Sequence, residues 1–475
     1  MLWADRSREA LFLPSQKLIN SMKRILLSVI LSGLMLSSFS QSDQDVTVLT
    51  LDDCINTALE RNILLKQTRN NQIIAESNRF QSIMNFFPTL SASINYDYFF
   101  GNFFDTNAAT QVSATTNSSN PNVASRVTLF NGFSNHYLVR QRKNELDAAI
   151  QTTESTRRNI ESLILGSYLT VILDKENIKI ARERVELLEA QLDREKKRES
   201  VGVGNLESVY NFQSQLATQK LTLNNLQNTL QRDLLTLFQA MALDPGNEYE
   251  VQSYEVQEQD LLLEVASFDE VLEESLSSSP ALMAARSSYS ASRYRLKSAR
   301  AQRLPTISAT GVIGSNYSSN GARNPSTGEI EPDATFVDQM QYNEFEYLNF
   351  SMNIPIFTRF QTTNTIQTAK VNMINAELDV SQALVNVTNT VQSVYLDLVS
   401  AQQTYRSAKE NLEATSQTFE FMKKRYETGN TDFYTYLESL NNKNRAELEM
   451  INAKYSIVFR QKILELYRES NSSVN

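Results

Sequence analysis

His136 and Cys54 are the single histidine and the single cysteine of this 475-residue chain. Their scarcity limits the chemistry open to it. Nucleophilic or acid–base catalysis needs an activated Ser, Cys or Lys beside a base that a third group orients. His136 lies just beyond Phe133, where a helix begins; no second histidine is near, and no Ser or Cys has a recognisable nucleophile setting. It reads as a surface or interface residue. Cys54 shares an apolar set with Leu51, Ile55 and Ala58, so it reads as a small buried hydrophobe. One cysteine makes no internal disulfide and no Cys metal cluster. The expectation is a non-enzyme with no cofactor and no metal. The remaining concentrated chemistry is cationic: Lys196-Lys197-Arg198 and Lys423-Lys424-Arg425. Cations favour helix C-termini, and a docking footprint would use the same side chains; both readings stay open.

Those clusters stand 227 positions apart, and the interval is general. Phe130 answers to Phe357, Phe133 to Phe360, Tyr168-Leu169 to Tyr395-Leu396, and Gly202 to Gly429. Earlier the offset is 217: Leu51-Asp52-Asp53 returns as Phe268-Asp269-Glu270, and Pro88-Thr89-Leu90-Ser91-Ala92 as Pro305-Thr306-Ile307-Ser308-Ala309. A period this long is one architectural unit duplicated, not a short-repeat solenoid. The organisation expected is a first repeat over 41–243, a linker over 244–267 and a second repeat over 268–475. Each copy reads helix, strand, loop, strand, long helix, turn, helix. The helices are placed at about 51–87, 133–201 and 205–242, then 268–304, 360–428 and 431–469.

The long helices would reach roughly 100 Å at ~1.5 Å per residue. Apolar residues recur every seven: Ile164, Val171, Ile178, Val185, Leu192; then Val391, Leu398, Tyr405, Leu412, Phe419; and Val209, Leu216, Leu223, Leu230, Leu237. A sustained seven-residue period means supercoiled packing. Companion positions such as Ser167, Asp174, Lys175 and Arg182 are polar, which suits helices touching neighbours on two flanks with wet inner and outer faces. A plain antiparallel coiled-coil hairpin is the alternative.

Strands are expected at about 88–100, 122–131, 305–317 and 346–357. Leu90, Ala92, Ile94, Tyr96, Tyr98 and Phe100 alternate with Thr89, Ser91, Ser93, Asn95 and Asp97. Leu348, Phe350, Met352, Ile354 and Ile356 alternate with Asn349, Ser351 and Asn353. Runs of ~10 residues with one apolar face and aromatics near an end suit a transmembrane β-barrel. A periplasmic sheet whose apolar face packs on helices is the alternative. Four strands cannot close a barrel, and an open edge facing lipid leaves amides unpaired. If the strands span, the protein must oligomerise.

At the N-terminus, Met22-Lys23-Arg24, the apolar run Ile25–Leu36 and Ser37-Ser38-Phe39-Ser40 have the three regions of a secretory signal, 22–40, with cleavage after Ser40. Residues 1–21 read as an upstream extension before a start at Met22. A retained anchor is the alternative, though the run is short for a spanning helix. Without residues 1–40 the chain carries 40 Lys and Arg against 52 Asp and Glu, a net of −12. That balance argues against nucleic acid.

This duplicated order behind a signal sequence resembles the TolC-like outer membrane efflux proteins. Leu51-Asp52-Asp53-Cys54-Ile55, Phe87-Pro88-Thr89-Leu90, Phe130-Asn131-Gly132, Val201-Gly202 and Thr428-Gly429 carry the likeness, which covers residues 47–470. The resemblance implies a mainly α fold with a β-barrel part, and a homotrimer whose twelve strands and coiled helices form one tunnel. It implies an outer membrane location in a Gram-negative bacterium, with a large periplasmic part and outer-membrane lipid around Leu90, Ile94, Tyr96, Tyr98, Phe350, Met352 and Ile354. It further implies passive export, in tripartite efflux or type I secretion, from an inner-membrane pump through a periplasmic adaptor. The tip turns, with Val201, Gly202, Gly204, Gly429 and Asn430, would meet that adaptor. By position Tyr426 matches the family's gating tyrosine and Glu438 an acidic-ring position. Thr431, Thr435 and Ser208 depart from the pattern, and Glu207 and Asp432 could compensate. The rival reading is a secreted coiled-coil tether or adhesin with no conduit.

Overall fold

A computed structural model describes residues 47–105, 109–243, 249–257, 261 and 266–468. The upstream extension and the secretory signal, 1–40, lie outside the described residues. In the first copy, β1 (Thr47–Leu49) precedes helices α1 (Leu51–Arg61) and α2 (Ile63–Met84). Strands β2 (Thr89–Ser93), β3 (Tyr96–Asp105), β4 (Thr110–Ser119) and β5 (Asn122–Asn131) follow, then α3 (Ser134–Ser200) and α4 (Leu206–Ala240). After β6 (Tyr249–Val251) the second copy has α5 (Phe268–Ser278), α6 (Pro280–Ala301), β7 (Thr306–Gly314), and the short β8 (Tyr317–Ser318), β9 (Ala322–Arg323) and β10 (Ile330–Glu331). It closes with α7 (Phe336–Tyr342), β11 (Phe345–Asn353), α8 (Gln361–Glu427) and α9 (Phe433–Arg468). The matched helices have 11 and 11, 22 and 22, and 67 and 67 residues. Such agreement at low sequence similarity is the duplication expressed in three dimensions.

Several expectations need correction. The leading helices, expected unbroken over 51–87 and 268–304, are each two helices. Ser279 leaves the α region (φ −68°, ψ 112°) because Pro280 crowds the residue before it. Ser279 then caps α6 by accepting from the Leu282 amide, and Asn62, its counterpart 217 positions earlier, caps α2 through the Leu65 amide. The single strand expected at 88–100 breaks at Ile94-Asn95. Its second half pairs with β4, so 101–121, expected as loop, is mostly a ten-residue hairpin ladder from Tyr96↔Ser119 to Asp105↔Thr110. Segment 318–344, also expected as loop, holds α7 and short paired strands around Gln339. This buried side chain accepts from the Ser318 amide and donates to the Ser318 and Ala334 carbonyls. The last two strands end at Gly314 and Asn353, short of 317 and 357. Residues 249–251, expected as linker, pair in parallel with β1, Thr47↔Tyr249 to Leu49↔Val251, and these two strands form a small unit of their own.

In the larger unit, α3 is the hub: α4 packs on it along one half and α2 along the other, while α6 and α9 join it to α8. The first seven-residue stripe buries throughout: Ile164, Val171, Ile178, Val185 and Leu192. In the second, Val391, Leu398, Tyr405 and Phe419 are buried and Leu412 half-buried; in the third, Val209 and Leu237 are buried while Leu216, Leu223 and Leu230 are half-buried. Tyr168, fully buried, stacks on Phe459 at 6.0 Å and donates to the Gln252 carbonyl at 2.7 Å. Cys54 is fully buried in the same unit, and burial pushes its thiol up to about 12, removing it as a nucleophile at neutral pH.

Candidate functional site: a one-sided sheet and a paired helical tip

Four strands form one antiparallel sheet in the order β11-β7-β5-β2. Register decides its character. Leu90 lies opposite Ser125, Val123 opposite Ile313, Val127 opposite Ala309, and Leu348, Phe350 and Met352 opposite Gly311, Ala309 and Ile307. Residues directly opposite share a face, so one face gathers Leu90, Val123, Val127, Ile307, Ile313, Leu348, Phe350 and Met352. The other carries Thr89, Ser91, Arg126, Thr128, Ser308, Thr310, Asn349 and Ser351, with the Ser308 and Ser351 hydroxyls 2.8 Å apart. A bulge between Thr128 and Phe130 leaves Leu129 as the extra residue. Phe130 thereby joins the apolar face opposite Ile307. Simple alternation from Val123 and Val127 would place Leu129 there.

The apolar face is uncovered by the subunit's helices: Leu90 is 77% exposed, Leu348 67%, Phe350 66% and Met352 61%. In water that exposure is costly, about 25 cal/mol per Å² of apolar surface; in hydrocarbon it is what the bilayer requires. The remaining residues expected to face a membrane divide differently. Ile94 and Ile354 lie just outside β2 and β11 and are exposed, while Tyr96 and Tyr98 sit on β3 in the second, three-stranded sheet β3-β4-β8, rings 5.2 Å apart.

Both the sheet and the helices leave surface without a partner. The four-stranded sheet ends on β2 and β11, so one edge of each has no partner among the described residues. Leading into β2, α2 exposes Ile73, Ile74 and Phe80; α4, packed chiefly on the other half of α3, exposes Leu221 and Leu235; and α8, which follows β11, exposes Leu378, Val385 and Leu396. Two different apolar flanks on one surface are what a heterologous contact needs, one that gives a ring where the rotation closes and a filament where it does not.

At the far end of the long helices the two turns are built alike. Gly202 (φ +74°) donates to the Glu199 carbonyl and Val203 to Arg198; Gly429 (φ +75°) donates to Tyr426 and Asn430 to Arg425. Both are Schellman caps, whose left-handed residue favours glycine. Gly204 serves otherwise: a Cβ there would stand 2.5 Å from the Glu199 amide nitrogen. Val201, Gly202, Gly429 and Asn430 are exposed.

Behind the turns lies an aromatic cluster. Tyr426 stacks on Tyr436 (4.9 Å), Phe212 meets Phe433 edge-on (4.4 Å), and Phe419 tilts onto Tyr436 (5.9 Å). Tyr426 is thus buried within the subunit, and its hydroxyl donates to the buried Glu195 carboxylate, which also holds Arg198 at 3.3 Å. Burial, then Glu195, pushes the Tyr426 phenol up to about 12. Arg194 pairs with Glu427 at 3.2 Å, a second tie between the hairpins. Asp432 caps α9, accepting from the Thr435 amide (3.0 Å) and hydroxyl (2.7 Å); those bonds hold its carboxyl below the usual range. Glu207 sits exposed in the first turn of α4, and Glu438 is exposed on α9. The structure joins Tyr426 to none of these three carboxylates.

Tyr436, Phe212, Phe433 and Glu195 escaped the sequence reading. A signal for Tyr436 was present: the 227-residue offset carries the apolar seventh position at Val209 onto it. Glu195 looked like one more charge in a basic run. His136 is exposed, its ring 6.0 Å from Tyr137. Among the described residues no group of three or more His, Cys, Asp or Glu side chains could hold a metal, and no helix is long and apolar enough to cross a membrane.

The profile of the family described as "Outer membrane efflux protein" matches residues 54–243 and 271–467, the two copies. The outer membrane protein TolC of Vibrio cholerae is 23% identical over 234 residues, 48% of this chain and 49% of that one. The chain therefore spans about half the length of the curated relative it matches. The outer membrane protein VceC of Vibrio cholerae superimposes with a TM-score of 0.75 at 15% identity, over 88% of this chain and 96% of that one. The CmeC outer membrane channel of Campylobacter jejuni gives 0.70 at 18% identity, over 88% and 85%.

Proposed function

The chain belongs to the outer membrane efflux protein family, and on that premise we propose that it is the outer-membrane channel of a tripartite efflux or type I secretion system. Three copies, four strands each, close a twelve-stranded barrel, and their helices continue it as a periplasmic tunnel. Substrates pass from an inner-membrane pump through a periplasmic adaptor, and the energy comes from the pump, so the channel itself does no covalent chemistry. The observation that carries this reading is the register of β11-β7-β5-β2, which collects Leu90, Val123, Val127, Ile307, Ile313, Leu348, Phe350 and Met352 on one uncovered face, leaving Val312 and Tyr347 on the other, and which keeps both outer edges open. The smallest membrane barrels have about eight strands, so a subunit with four requires its neighbours. The polar face, with Arg126, Thr310 and Asn349, then lines the conduit.

At the other end, the exposed Val201 and Val203 and the paired glycine turns offer apolar knobs on a rigid hairpin, a surface suited to an adaptor's helical tips. Mass measurement of the detergent-extracted protein together with conductance in a planar bilayer tests the proposal. Three subunits per particle and discrete channels are expected; a water-soluble monomer without conductance refutes it.

A further inference from the structure

Just below the sheet, α3 and α6 run side by side and enclose a groove of about 270 Å³ lined by Arg140, Lys143, Asp147, Arg293, Tyr294 and Lys297. We propose that this groove binds the phosphate headgroup of an anionic phospholipid in the leaflet that faces the helices, an inference that rests on the membrane reading above.

The argument begins with uncompensated charge. Four cations from two helices converge on a single carboxylate, and none of the four makes an ion pair within 4.0 Å among the described residues. The surplus is local: residues 288–304 carry five Arg or Lys and no carboxylate, in a chain whose net charge is −9. The helix dipole does not account for it. It favours cations at the C-terminus of α6, but Arg140 and Lys143 lie in the second and third turns of α3, on the positive side of that helix. An anion resolves the repulsion.

Position and rim chemistry then select the anion. Lys297 is four residues from the end of α6 and Lys143 nine from the start of α3, about 6 and 14 Å from the helix ends at ~1.5 Å per residue. The headgroup layer outside the hydrocarbon is about 5–8 Å deep on each side, so the groove opens at or just beneath it. Its rim is aromatic: Lys297 lies 5.0 Å from the Tyr294 ring centroid and 6.0 Å from that of Tyr137, and Arg293 lies 5.9 Å from that of Tyr289. Tyrosine beside Lys and Arg is the composition of a membrane–water interface, where each basic residue contributes about fivefold to the affinity for anionic lipid.

The test is native mass spectrometry of the full chain released from vesicles of phosphatidylglycerol or phosphatidylcholine with identical acyl chains. The wild type should retain phosphatidylglycerol at least about tenfold better. The double variant R293Q/K297Q should lose most of that preference, and R140Q about fivefold, with helix content by circular dichroism unchanged. Equal retention of the two lipids, or an undiminished preference in R293Q/K297Q, overturns the proposal. So does displacement of the lipid by millimolar inorganic phosphate, which would make the ligand a free anion. A variant that alters only the ion selectivity of the pore would place the groove on the lumen and likewise overturn it. A chain that enters neither vesicle refutes the membrane reading itself, a different result from insertion without lipid preference.

Discussion

Phe350→Arg separates a lipid-facing sheet from a water-facing one. Phe350 is the sixth of nine residues in β11, one past its centre, opposite Ala309. With ~3.3 Å per residue and a tilt of about 40°, nine residues rise roughly 23 Å, close to the ~25 Å apolar band of a membrane barrel. The residue therefore sits within a few ångströms of the midplane, where Arg costs about 2–4 kcal/mol. At 3 kcal/mol the folding equilibrium shifts about 150-fold, and in a trimer the substitution enters three times. The neighbour Asn349 points to the other face, opposite Thr310. Asn349→Arg should cost no more than about 1 kcal/mol, because an exposed polar site tolerates such a change. Urea titration of folding into phosphatidylcholine vesicles, read by a heat-modifiable band, measures both. Equal costs for the two variants refute the assignment of faces. A neutral Phe350→Arg does so too, since a residue 66% exposed to water would accept arginine freely.

Four more outcomes follow from particular contacts. At Gly132 (φ +65°) a Cβ would meet the Ala301 carbonyl oxygen at 2.7 Å, so Gly132→Ala should destabilise by more than about 2 kcal/mol, whereas Arg359→Gly, relieving the equivalent non-glycine residue at φ +49°, should stabilise by about 1 kcal/mol in denaturant titration. Tyr436 is fully buried with its hydroxyl unpartnered, so Tyr436→Phe should be neutral or stabilising by up to about 1 kcal/mol, while Tyr426→Phe, which strips a donor from buried Glu195, should cost about 1–3 kcal/mol by the same titration. Burial, then Asp233, raises the Asp174 carboxyl to about 6; the folded state therefore holds a proton that the unfolded state releases, and stability should fall as pH rises from about 4 to 6, a slope in thermal melts that Asp174→Asn should reduce. Glu438→Gln should weaken divalent-cation block of single-channel current; an unchanged block removes Glu438 from the constriction.

Much of the candidate site was legible because it is written in local patterns. Alternation over Leu90–Ala92 and Leu348–Met352 reports two unlike faces, since side chains of a strand point oppositely at each step. Gly202 and Gly429 mark helix ends, because a left-handed residue there needs no Cβ. Pro280 marked a break that the long apolar pattern around it overrode in the reading, and with it the cap at Asn62. The β3–β4 hairpin was hidden by composition: Ser, Thr and Asn between 110 and 119 pattern like a loop, and strand preference depends on the partner across the ladder.

The sequence by itself determined the duplication, the 67-residue helices, the seven-residue seams and the two-faced strands, all of which depend on residues near one another in the chain. Only the tertiary structure decided that the apolar faces of β2, β5, β7 and β11 coincide, that a bulge at Leu129 substitutes Phe130 on that face, and that Tyr426 turns inward to Tyr436 and Glu195. Periodicity tells each element which of its sides is apolar. Which sides meet depends on pairing across more than two hundred residues of chain, where one step of register moves every side chain to the opposite face.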